Sequence, residues 1–271
     1  MNANKALWEK GDFTRIAASM RDSGTALAAS IGIKSGQSVL DLGCGDGTTA
    51  VPAAKLGADV LGVDISSNLV AAGNRRAAAE GLNNLHFQEG DASHLDDIEN
   101  DRFDLVISIF GAMFAPSPSD VAKEMVRVTR PGGRIVMGNW IPGDPTLVAQ
   151  VLKISSAYSP PLPAGFVSPM LWGKEDEVVA RFQAADIEPS CISCSRDTYT
   201  FEYPGPPAAL LNDFIQFYGP TINAVESAES NGHAEQLKSE LLALFEQQNH
   251  SPVNDVTAIS AAFLRVTVLV K

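Results

Sequence analysis

The chain is poor in several things at once. It has 20 basic residues against 32 acidic ones among 271, a formal net charge of −12. No basic run interrupts that balance. A face that grips nucleic acid or an anionic membrane needs clustered lysine and arginine, and an acidic chain repels such partners at long range. Soluble small molecules or proteins are therefore the expected partners. Three cysteines are too few for a disulfide scaffold in a chain of this length, so a reducing cytoplasm is the expected compartment. The longest largely apolar stretch, Leu105–Ala115, falls well short of the roughly 20 residues of a membrane span. The opening MNANKALWEKGDF lacks the apolar region of a signal peptide. The four histidines, His86, His94, His233 and His250, show no metal-ligand spacing, and no G-x-S-x-G nucleophile motif is present. Cys191 and Cys194 spell C-x-x-C, but in an alternating strand the two thiols point to opposite faces. No metal site is expected.

What the chain does have is a rhythm. Residues 5–31 read as helix, with Phe13, Ile16, Met20, Leu27 and Ile31 near helical spacing and a break expected at Gly24. From Ser38 onward, β-rich runs alternate with helical ones. The strands are expected at 38–43, 58–64, 85–91, 103–110 and 134–140. Helices are expected at Thr48–Leu56, Asn68–Glu80 (with Ser66 and Ser67 as cap candidates) and after Ser117-Pro118-Ser119-Asp120. Such alternation implies a parallel sheet with helices on both faces. The fourth run is almost continuously apolar, as a strand buried on both faces should be. After Trp140 come a helix at 145–157, a proline-rich loop at 159–169, a helix at 175–185, a strand at 192–203, a mostly helical insert at 206–249 and a closing strand at 263–270.

The most informative segment is VLDLGCGDG at 39–47, between the first strand and its helix. Glycines there permit a tight turn and close approach of a ligand to the main chain, and the following helix offers free N–H groups. The dinucleotide fingerprint G-x-G-x-x-G/A fails, because Thr48 stands where its last small residue belongs. The pattern is D-x-G-x-G-x-G. Asp41 would repel a pyrophosphate and attract an ammonium group. The second strand ends in Asp64, 17 residues past Gly47, near the spacing of a ribose-binding acid. The third ends in Glu89-Gly90-Asp91-Ala92, an acid suited to an adenine amino group or, equally, to capping the next short helix.

Together, VLDLGCGDG, GVDIS, EGDA, FDLVISIFGAMFA and RPGGRIVMGNW, from Val39 to Trp140, resemble the class I S-adenosylmethionine-dependent methyltransferases, in particular the group similar to ubiquinone/menaquinone methyltransferases. ALWEKGDFTRIA, GAMFAP and YGPT resemble a subgroup of that superfamily. The resemblance implies an α/β fold: a Rossmann-like, doubly wound, seven-stranded sheet, mostly parallel with the last strand antiparallel, carrying helical lid insertions. It implies S-adenosyl-L-methionine as cofactor. Asp41, Gly43 and Gly45 would hold its methionine end, with Cys44 a small occupant of the same loop. Asp64 would bind the ribose, Ile65 would pack on the adenine, and Asp91 and Ala92 would meet its edge and face. Ser108, Ile109 and Phe110 would flank the sulfonium. The implied sixth and seventh strands fall at 191–203 and 259–270.

These expectations describe one domain over 1–271. Residues 1–35 form a helical cap, 36–140 the cofactor core, and 141–172 and 204–250 lids converging above the donor methyl. Aromatic residues Trp8, Phe13, Trp140, Trp172, Tyr203, Phe214, Phe217 and Tyr218 are available to a lid. Trp8 and Phe13 are the ones expected to reach the site, since an amphipathic N-terminal helix has little else to cover. Methyl transfer by in-line displacement needs positioning above all, and a base only if the acceptor must lose a proton; Asp12, His94, Tyr203 and Tyr218 are candidates. The competing readings are a nicotinamide-dependent oxidoreductase, disfavoured by Thr48 and Asp41, and a non-catalytic binding protein, disfavoured by Asp41, Asp64 and Asp91 occurring together. The acceptor, the atom methylated and the oligomeric state are left open.

Overall fold

The computed structural model describes residues 3–159 and 165–271. Residues 160–164, the centre of the expected proline-rich loop, lie outside the described range. The N-terminal stretch is not one helix. It is divided into α1 (Ala3–Trp8), α2 (Thr14–Ala18) and α3 (Arg21–Ile31). The first break lies at Gly11-Asp12, where the Asp12 carboxylate accepts the backbone N–H of Thr14 (3.2 Å) and its hydroxyl (2.6 Å). Such a local side-chain turn competes with a continuing helix. Gly24 does not break anything. It sits buried inside α3, and a Cβ there would meet Thr48 and the Tyr199 hydroxyl within 3 Å. Its smallness lets the helix press against the β-sheet's first loop.

The alternating core follows in the expected order: β1 (Ser38–Leu42), α4 (Ala50–Lys55), β2 (Asp59–Asp64), α5 (Ser67–Ala79), β3 (Leu85–Glu89), β4 (Phe103–Ile109), α6 (Pro118–Val128) and β5 (Thr129–Trp140). The cap of α5 differs from expectation. Neither Ser66 nor Ser67 caps it through its own side chain. Glu9, arriving from α1, accepts from the Ser67 N–H (3.1 Å) and hydroxyl (2.6 Å) at the helix start, where a carboxylate also meets the positive end of the helix dipole.

The rest of the chain adds α7 (Leu147–Tyr158), α8 (Glu175–Gln183), β6 (Ile192–Tyr203), α9 (Pro207–Phe217), α10 (Gly219–Ser230), α11 (Ala234–Gln248) and β7 (Thr257–Leu269). The sheet has seven strands in the order β3-β2-β1-β4-β5-β7-β6. Strands β1 to β5 pair in parallel, and β7 runs antiparallel between β5 and β6. Val39, Leu40 and Leu42 of β1 and Leu105, Val106 and Ile107 of β4 are fully buried, as strands covered on both faces require. Strand order reverses between β1 and β4. Ligands of open α/β sheets bind at such a switch point, beyond the carboxyl ends of the strands. Cys191 lies in a short 3₁₀ turn before β6 and Cys194 on the strand itself. Among the described residues no His/Cys/Asp/Glu group is placed to hold a metal, and no helix is long and apolar enough to cross a membrane.

Candidate functional site

At the switch point lies a cavity of about 920 Å³, its open mouth included. The β1–α4 loop lines it through Asp41, Gly43, Cys44, Gly45, Asp46, Thr48 and Thr49. The end of β2 adds Asp64, Ile65 and Leu69, the end of β3 adds Gly90, Asp91 and Ala92, and the end of β4 adds Ile109 to Ala112 and Ala115. The N-terminal helices close it with Asn4, Trp8, Phe13, Ala17 and Met20, and β6 contributes Tyr199.

Three glycines make this geometry possible. Gly43, in the left-handed region at φ +69°, faces Gly111 of the β4 loop so closely that a Cβ on Gly111 would lie 2.1 Å from the Gly43 carbonyl oxygen. Only glycine on both sides lets the two loops touch. Gly45, at φ +56°, has nothing within 4 Å of its Cβ position, and its backbone borders open cavity. Its N–H donates to Asp64 (2.8 Å), whose other oxygen accepts from the Ser66 N–H (2.9 Å). Asp64 is thereby fixed in place, with a second lone pair on each oxygen still available.

Asp41 differs. It is 2 % exposed, its Oδ2 has no hydrogen-bond partner, and no cation pairs with it among the described residues. Burial, reinforced by the charge of Asp64, pushes its carboxyl up to about 7, against a smaller opposing effect of the Ala50 backbone N–H. Burial likewise raises Asp64, against the hydrogen bonds from Ser66 and Gly45. Asp46, also in the wall, is by contrast held from behind by Arg21, with Arg76 3.9 Å away. A buried, unpaired carboxylate is costly unless a partner arrives. The cavity therefore suits a ligand that brings a cation to Asp41.

The aromatic wall has two layers. Phe110 adopts φ +63°, a conformation rare for a bulky side chain. It is held there by a parallel stack on Trp140 (3.6 Å between centroids) and by edge contacts to Tyr199 (5.0 Å) and Phe263 (5.2 Å). Trp8 meets Phe114 (5.0 Å) and Phe13 (5.7 Å) edge-on, and Tyr218 backs both from outside the cavity.

Of the expected site residues, Trp8, Phe13, Asp41, Gly43, Cys44, Gly45, Asp64, Ile65, Asp91, Ala92, Ile109 and Phe110 all border the cavity. Ser108 does not. It is 1 % exposed, donates to the Leu42 carbonyl (2.6 Å) and accepts from the Ala112 N–H (3.0 Å), tying the β1 and β4 ends together. Asp91 accepts from the Ser93 N–H (2.9 Å) in a tight turn, but no helix follows it before β4, so it caps none. The two expected lids do not converge on the cavity. None of its lining residues comes from 141–172 or 204–250 among the described residues. The 204–250 segment packs behind α1 and α2 through α9 and α10, α7 of the other segment packs on α10, α11 and β7, and Trp172 is buried against Arg181 and Phe182. Tyr199 and Met20 were not foreseen. Tyr199 was visible only as one member of an alternating strand, and its approach to Phe110 depends on strand order.

A family model described as a methyltransferase domain matches residues 39–133. An uncharacterized protein of Mycobacterium tuberculosis is 36% identical over 225 residues, 83% of this chain and 80% of the relative. Demethylmenaquinone methyltransferase of Paenarthrobacter aurescens is 38% identical over 108 residues, 40% of each chain. The chain belongs to the class I S-adenosylmethionine-dependent methyltransferases. Its cofactor is S-adenosylmethionine. The fold of this methyltransferase agrees: a structure of Haemonchus contortus phosphoethanolamine N-methyltransferase 2 with S-adenosyl-L-methionine superposes at TM-score 0.57 and 17% identity, covering 92% of this chain and 53% of the other. The unpaired Asp41 and the open face at Gly45 fit a cofactor that carries an ammonium group and must lie against backbone.

Proposed function

We propose that the enzyme methylates a small, largely apolar acceptor held between the cofactor and the N-terminal helices. The observation that carries this reading is the composition of the wall. Asp41, Asp46, Asp64 and Asp91 border the cavity on the β1, β2 and β3 side, while the opposite side offers Trp8, Phe13, Ala17, Met20 and Tyr199. On this reading Asp41 receives the ammonium group, Asp64 the ribose hydroxyls, Asp91 and Ala92 the adenine edge and face, and Ile65 packs on the base. Gly43 and Gly45 admit the ligand close to the main chain. Bound there, the cofactor supplies a methyl group already activated on a sulfonium.

The chain's own contribution is positioning and exclusion of water. Trp8, Phe13 and Phe110 present ring faces and edges that favour a cation and an apolar acceptor alike. The side chains considered as bases, Asp12, His94, Tyr203 and Tyr218, do not border the cavity. Tyr199 does, but its hydroxyl donates to the Met20 carbonyl (3.2 Å), and burial pushes its ionisation upward, so it is a poor base. The acceptor thus arrives with its nucleophilic atom ready: a neutral amine, a thiol or phenol ionised in solution, or an electron-rich ring carbon.

The test is production of S-adenosylhomocysteine with a panel of neutral aromatic and aliphatic acceptors beside charged ones of similar size. Turnover is expected with neutral acceptors. Turnover confined to polyanions or protein substrates would contradict the reading.

A further inference from the structure

Behind the glycine loop, on the far side of Asp46 from the cofactor cavity, a second cleft opens between the start of α2, the start of α3 and one face of α5. Three guanidinium groups line it, Arg21, Arg75 and Arg76, together with the Thr14 hydroxyl. This is an unusual concentration in a chain of net charge −12. The carboxylates that line the cleft are Asp12 and Asp46, two against three guanidinium groups. Asp12 accepts from Thr14, and Asp46 pairs with Arg21 while Arg76 donates to its backbone carbonyl (2.6 Å).

Arg21 and Arg76 therefore share one carboxylate, which is 3 % exposed, while each is itself only about a quarter exposed. Burial first, and then the neighbouring Arg21 charge, lower the ionisation of Arg76, against the opposing charges of Asp46 and Glu80. Arg75, one residue along α5, is exposed and makes no hydrogen bond or ion pair among the described residues. Guanidinium groups in this state form forked, charge-assisted hydrogen bonds to phosphate oxygens. The two carboxylates Asp12 and Asp46 do not match three guanidinium charges.

We propose that this cleft is a binding site for a small soluble phosphate-bearing ligand, held by Arg21, Arg75 and Arg76 and separated from the cofactor cavity by Asp46. The site is independent of the acceptor reading above, since the two cavities share only the Asp46 wall.

The experiment is calorimetric titration of the full chain with inorganic phosphate, with sodium chloride and acetate at matched ionic strength as comparisons. Saturable binding of phosphate is expected, with none from chloride or acetate. Arg75→Ala should weaken phosphate by about fivefold, the upper end for an exposed charge pair. S-adenosylhomocysteine affinity should stay unchanged in that variant, because Arg75 makes no hydrogen bond or ion pair among the described residues and does not line the cofactor cavity. Equal responses to phosphate and chloride, or phosphate affinity unaltered by Arg75→Ala, would overturn the proposal.

Discussion

Replacing Asp41 by asparagine removes a buried charge while keeping its shape, and the structure sets both the sign and the size of the effect. In the folded protein the Asp41 carboxyl is raised from 3.8 to about 7. The folded state thus holds a proton that the unfolded chain has already released. The group contributes no penalty below pH 3.8, a growing one between pH 3.8 and about 7, and its full penalty above that. At 1.36 kcal/mol per unit, the full penalty is about 4 kcal/mol, and about 1.5 kcal/mol at pH 5. Asp41→Asn should therefore stabilise the cofactor-free protein, more at pH 8 than at pH 5 by about 2.5 kcal/mol. In a chain of this size that difference corresponds to roughly 5–10 °C in Tm. The same substitution should weaken S-adenosylhomocysteine by about ten- to a hundredfold, the worth of a charge-assisted bond to a buried carboxylate. Thermal melts of both proteins from about pH 5 to about pH 8.5, with and without ligand, read both effects. A Tm difference that does not grow with pH, or unchanged ligand affinity, would refute the reasoning.

Gly111→Ala places a Cβ 2.1 Å from the Gly43 carbonyl oxygen, backbone against backbone. It should cost about 3 kcal/mol or more, seen as a fall in Tm and loss of cofactor binding, and an unshifted melt would contradict the close approach of the two loops. The N-terminal segment is tied to the end of β3 by the exposed pair Lys5 with Glu89, and to α10 behind it by Lys10 with Glu226. Such pairs are screened by salt. Raising sodium chloride from about 0.05 to about 0.5 M should speed S-adenosylhomocysteine release a fewfold, followed by Trp8 fluorescence in stopped flow, and a salt-independent rate would show that the strap does not gate the site.

The parallel core was legible because its signals are local. Nearly continuous apolar runs such as Leu105–Ile109 mark strands buried on both faces, and Asp41-x-Gly43-x-Gly45 marks the turn between strand and helix. The N-terminal breaks were missed because Gly11-Asp12 was outweighed by a helical period that continues across it. Gly24 misled for a related reason: a glycine serving close packing looks the same in sequence as one that ends a helix. The resemblance sets Ser108 beside the sulfonium with Ile109 and Phe110, whereas in the fold its hydroxyl is taken up by the Leu42 carbonyl and the Ala112 N–H. Tyr199 stayed invisible because its contact with Phe110 requires knowing that β7 inserts between β5 and β6. The distant packing of the two inserted segments had no local signal at all.

The most direct test of the account is calorimetric titration of the wild-type chain and of Asp64→Ala with S-adenosylhomocysteine. Asp64 is held by Gly45 and Ser66 with one lone pair on each oxygen left for a ligand, the ribose in the reading proposed above. Saturable binding is predicted for the wild type, weakened about ten- to a hundredfold in the variant by loss of charge-assisted hydrogen bonds. No binding by the wild type, or equal affinity in the two proteins, would contradict it.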